Sequence, residues 1–146
     1  MFQAATSFNQ PIADWKVSSV TSTSYMFDQA TSFHQAIGNW NVSSVRDMNY
    51  TFYNAASFNQ PLADRDVSTV TNMRPIFDTA MSFNQPIWGL ERAKCDNHHG
   101  LHDNHHGLHV IMVSMFESAA SFNSALEDWN VFRLERVECD GHAQHV

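Results

Sequence analysis

Basic residues are scarce in this chain: eight Lys and Arg stand against 15 Asp and Glu, a formal net charge of −7. No Lys/Arg cluster exists to displace the counterions of a phosphate backbone, which argues against nucleic acid as a partner. Glycine is also sparse, at five residues, and none falls in the spacing of a phosphate-cradling loop. Two cysteines, Cys95 and Cys139, make no disulfide framework and leave the redox compartment open. No run of ~18 apolar residues is present, so no membrane-spanning helix is expected. The N-terminus carries neither the basic nor the apolar region of a secretory signal. What remains is a chain of 146 residues, 43% apolar and 16% charged, with the composition of one soluble, core-bearing domain.

What is abundant is self-similarity. Met26-Phe27-Asp28-Gln29-Ala30-Thr31-Ser32-Phe33 returns, with substitutions, at Met1–Phe8, Thr51–Phe58, Ile76–Phe83 and Met115–Phe122, and Phe2, Phe27, Phe52 and Phe77 stand one constant period apart. Apolar residues at 48, 52 and 55 or 56 are spaced like one face of a short helix, whereas Trp40 to Val45 alternates like a short strand followed by a turn. A unit of this size cannot bury its own apolar face. Stacked copies can, with Phe on Phe, Trp on Trp and Val on Val in ladders, so the expected fold is a repeat solenoid of α/β type, one short helix and one short strand per ~25-residue unit. Asn9, Asn59, Asn84 and Asn123 recur at one position and are expected to satisfy backbone groups of the adjacent turn. Pro11, Pro61 and Pro86 recur at another, as corners or strand starts. Two departures stand out: Thr23 where Met48 and Met73 sit, and Arg65 where Trp15 and Trp40 sit.

The recurring Phe-Asn-Gln-Pro, Trp-x-Val-Ser and Met-Phe at fixed offsets, over residues 1–87 and 115–131, resemble the BspA-like leucine-rich repeat, also called the DUF285 or mycoplasma-lipoprotein repeat. The resemblance implies a leucine-rich-repeat-like solenoid in a secreted or surface-anchored protein of adhesion type, with no enzymatic site in the repeats. It suggests an extracellular or cell-surface location, although no signal or anchor is evident.

The pattern divides the chain into a repeat solenoid over 1–89 (three full units and half of a fourth), a His-rich irregular insertion over 90–114, a last partial repeat over 115–131 and an irregular tail over 132–146. In the insertion Asp96-Asn97-His98-His99-Gly100-Leu101-His102 is copied verbatim as 103–109, and the two copies hold six of the nine histidines. Cys95, His98, His102, His105, His106 and His109 have the ligand types for Zn²⁺, Ni²⁺ or Cu²⁺, but such a tract is a compositional signal only, and a solvated loop is the plainer account. The genetic code offers a third account. Codons exist for Leu134–Val146 that, read one base later, spell Trp-Asn-Val-Ser-Ser-Val-Thr-Asp-Met, the missing half of a repeat. The same shift turns Leu90 onward into a similar motif, so both segments are expected to be out-of-frame repeat.

No catalytic constellation emerges, and no catalytic, cofactor or metal residue is assigned. The serines belong to repeat turns, His34 replaces a laddered Asn, and Asp14, Asn39 and Asp64 share one corner without forming a carboxylate pair. The expected function is therefore a non-enzymatic surface or adhesion-type interaction module that meets a protein or glycan ligand through a solenoid face. The alternatives are a His-tract metal-binding protein, or an inactive fragment with frameshifted segments.

Overall fold

The computed structural model describes residues 1–62, 66–86 and 118–121. Its repeating element is a coil that takes up one period of the sequence: a first coil over 1–21, a second over 22–46, a third over 47–71 and the start of a fourth over 72–86. Ser22, Asp47 and Asn72 open the last three and are joined by isolated parallel bridges.

The α/β assignment does not hold. Among the described residues there is no helix, and extended pairing is limited to those bridges. Each coil is instead a chain of β-turns. In the second coil the turns Thr23–Met26, Phe27–Ala30, Ala30–Phe33, Ile37–Trp40 and Val42–Val45 are each closed by a backbone N–H donating to the carbonyl three residues earlier, at 2.9–3.0 Å. Both ends of every one of these turns are buried, and most of the two residues between them face outward. An apolar-x-x-apolar spacing is common to a helical face and to the ends of a β-turn, which is why the pattern at 48–56 reads as helix.

The backbone decides between the two. Tyr50 has φ of 54° and Asn54 of 52°, in the left-handed region that a right-handed helix excludes. Ala4, Tyr25, Gln29 and Thr79 share that sign, each as the third residue of a four-residue turn, the position where a type II turn requires it. Ser118, two residues after Phe116 as Ala4 is after Phe2, repeats it at 61°. Hydrogen bonding agrees. In a helix the Tyr50 N–H would donate to the Arg46 carbonyl, but it donates to Arg74 of the next coil at 2.9 Å, and the Arg46 carbonyl accepts from Thr71 at 2.8 Å. The expected strand at 40–45 is likewise two turn ends around a bend, since the Val45 N–H returns to Val42.

Lateral bonds repeat from coil to coil. Thr23, Tyr25, Phe27 and Gln29 donate N–H groups to the carbonyls of Asp47, Asn49, Thr51 and Tyr53, and Met48, Tyr50, Phe52 and Asn54 do the same to Asn72, Arg74, Ile76 and Asp78. Stacking in this register lines up the side chains. Phe2, Phe27, Phe52 and Phe77 form one column with centroids 5.5–5.7 Å apart. Phe8, Phe33, Phe58 and Phe83 form a second at 5.8–6.1 Å, pressed against the first at 3.8–4.1 Å within each coil. The expected Phe ladder is thus a double column. Trp40 is buried, its indole N–H donating to the Ile12 carbonyl of the preceding coil at 3.0 Å. Pro11, Pro61 and Pro86 are exposed, outside any strand. Arg65, the His-rich insertion and the tail lie outside the described residues.

Candidate functional site

The turns that build the core also fix what points away from it. Along the side formed by residues 24–29 of the second coil, the positions between turn ends repeat once per coil, so each makes a row across the stack. One row is Tyr25, Tyr50 and Pro75, and another is Gln3, Asp28, Tyr53 and Asp78. The rungs are held by Ala4 N–H on the Asp28 carbonyl at 2.7 Å, Tyr25 on Asn49 at 3.1 Å and Gln29 on Tyr53 at 2.8 Å.

All three tyrosines of the chain converge here. The Tyr25 and Tyr50 rings stack at 4.9 Å with planes 7° apart, and Tyr53 meets Tyr50 edge-on at 5.5 Å and 67°. Tyr25 is 39% exposed, unlike the Phe columns inside. Around the rings lie Ser24, whose hydroxyl bonds the Asn49 Oδ1, and the exposed Gln29 and Arg74.

In the same row as Tyr53 sits a buried acid. Asp28 is 4% exposed, its Oδ2 accepts from Gln3 Nε2 at 2.8 Å, and its Oδ1 is buried with no hydrogen-bond partner among the described residues. An orphaned buried acceptor costs ~1–3 kcal/mol, so this oxygen is a place where a donor from outside would be favoured.

A second polar surface is structural. Asn9 Oδ1 accepts from the His34 N–H at 2.9 Å and Gln35 Nε2 at 3.0 Å, and Asn59 Oδ1 accepts from the Asn84 N–H at 2.8 Å and Gln85 Nε2 at 3.0 Å. Asn9 and Asn59 therefore satisfy the adjacent turn, as their recurrence implies. His34, set in the same row, contacts the Ser57 carbonyl and the Gln60 amide. These are partners of a spacer rather than the acid and nucleophile that a catalytic base needs. Asp14 and Asn39 lie along the coil edge, both exposed. Asp64, Asn123, Cys95 and the histidines of 98–109 lie outside the described residues, and among the described residues no group of His, Cys, Asp or Glu is arranged to hold a metal.

Inside the stack a cavity of about 50 Å³ is lined by Met26, Trp40, Met48, Val67 and Ile76 with the Thr23 and Thr51 hydroxyls. It is far below the ~300–1,000 Å³ of a small-molecule site. Its hydroxyls are already used: Thr51 Oγ1 donates to the Met48 carbonyl at 2.7 Å and lies 3.1 Å from Thr23 Oγ1. The tyrosine face is thus the best-formed candidate, and sequence reasoning misses it. The recurrence of tyrosine at Tyr25 and Tyr50, one full period apart, is the signal that could have found it; the approach of Tyr53 to Tyr50 and the burial of Asp28 depend on the turns.

Among the described residues no helix is long and apolar enough to cross a membrane. No curated protein and no solved structure matches the chain. The family described as "Mycoplasma protein of unknown function, DUF285" matches residues 1–108 and 103–139. With its periodic motifs inside that span, the chain belongs to the DUF285 family.

Proposed function

We propose that this chain is a non-enzymatic interaction module of surface or adhesion type, which binds a protein or glycan ligand through the tyrosine face. The observation that carries the reading is the convergence of Tyr25, Tyr50 and Tyr53 on one outward side of a backbone-bonded stack. Tyrosine offers large contact area with only two side-chain torsions to fix, and aromatic residues dominate binding hot spots. Stacked rings on bonded rungs are preorganised, so little ordering is left for the moment of binding.

The test is binding of the full chain to immobilised extracellular-matrix glycoproteins and to an oligosaccharide array. Replacing Tyr25, Tyr50 and Tyr53 together by Ala abolishes binding under this reading, while replacing His98, His102, His105, His106 and His109 by Ala leaves it unchanged. The reverse result would transfer the function to the His tract and its metal chemistry.

A further inference from the structure

We propose that the tyrosine face receives a basic side chain, an arginine guanidinium before a lysine ammonium, from a protein partner. This deepens the preceding reading and rests on it. Two independent observations meet at one place: an aromatic group in which Tyr25 is exposed and Tyr50 and Tyr53 are half-buried, and the buried Asp28 carboxyl, which shares its row with Tyr53 and has an oxygen without a partner among the described residues. Rings offer the negative face that attracts a cation, and an unsatisfied carboxyl oxygen calls for a donor, best a charged one. A neutral sugar would use the rings but would bring only neutral hydroxyls to Asp28. The net charge of −7 favours a cationic partner over an anionic one and speeds its approach. The face's own cation, Arg74, stands in the fourth coil, two rungs from Asp28.

One side chain holds the Asp28 carboxyl. Gln3 is exposed, and its neutral amide holds Oδ2 through a single bond at 2.8 Å. A guanidinium entering beside Tyr53 displaces that amide and spans both oxygens in a fork, replacing one bond from a neutral donor by two from a charged one. Gln3 therefore competes with the ligand.

The probe is N-acetyl-arginine amide, with its citrulline counterpart as the neutral isostere, titrated against the full chain and followed by the ring and amide resonances of Tyr25, Tyr50 and Tyr53. Under the proposal the arginine compound moves these resonances, citrulline binds about tenfold more weakly or worse, and Gln3→Ala tightens arginine binding by about threefold. Asp28→Asn brings arginine binding down to the citrulline level, and Tyr25→Leu weakens it by about threefold. Should Asp28→Asn fail to fold, the Gln3→Ala and Tyr25→Leu titrations decide alone. Equal binding of arginine and citrulline, or weaker arginine binding in Gln3→Ala, overturns the proposal. A response to maltotetraose without one to arginine overturns the basic partner but leaves the face as a ligand site. Tyrosine resonances that respond to none of these probes also overturn it, whatever the glycoprotein assay shows.

Discussion

At the scale of single residues, the left-handed positions are where this repeat departs from ordinary preference. Gln29 has φ of 57° and an exposed side chain. A non-glycine residue there carries a cost from its Cβ that glycine avoids. Gln29→Gly is expected to stabilise the chain by about 0.5–1 kcal/mol, and Gln29→Val to destabilise it by about 1–2 kcal/mol, since a β-branched residue fits φ > 0 worst. Urea denaturation of the two variants checks both signs. The laddered asparagines act in another way. Asn59→Ala removes the acceptor of the Asn84 N–H and of the Gln85 amide, and because the site is partly wet the expected loss is about 1 kcal/mol by the same measurement.

Within one coil, the element is a turn whose two ends enter the core, and its energetics follow from what fills those ends. Phe58 is fully buried, 4.1 Å from Phe52 and between Phe33 and Phe83. Phe58→Ala leaves a cavity in both columns and is expected to cost about 3–5 kcal/mol, enough to unfold a marginal domain, as a thermal melt would show. The coil also explains an anomaly of the sequence. Thr23 breaks the Met48/Met73 row, and Thr51 breaks the row of Met26 and Ile76, yet their hydroxyls lie 3.1 Å apart and Thr51 also bonds the Thr23 carbonyl. The two substitutions answer each other. A double-mutant cycle with Thr23→Val and Thr51→Val is expected to give a coupling of about 1 kcal/mol, whereas independent sites would give none beyond error.

Over the whole molecule, contacts run from each coil to its neighbours. Phe52 meets Phe27 on one side and Phe77 on the other, and the lateral backbone bonds also join successive coils. Excision of residues 47–71, joining residue 46 to residue 72, removes one full period and places Tyr25 directly under Pro75. The shortened chain is expected to fold with a lower melting temperature, and an excision over 47–70, which falls short of the period and puts every column out of register, is expected not to fold. Circular dichroism during heating separates the two. Position in the stack matters as well: Trp40, covered by the first coil, is 5% exposed, whereas Trp15, in that first coil, is 42% exposed.

The period of the repeat, the stacking of Phe on Phe and the role of Asn9 and Asn59 were legible in the sequence, because a side chain repeated at fixed intervals can be buried only by its own copies. The family was legible for the same reason. The coil's internal structure was not, since Thr23 and Met26, or Phe52 and Ala55, are three apart in a helix and in a turn alike. What separates these is where each backbone N–H goes, and Tyr50 gives its own to Arg74 in another coil. The candidate site was hidden by that same ambiguity. Placing Tyr53 against Tyr50 and leaving the Asp28 Oδ1 buried follows from φ > 0 at Tyr25, Tyr50 and Asn54 together with coil stacking, long-range terms that only the tertiary structure supplies.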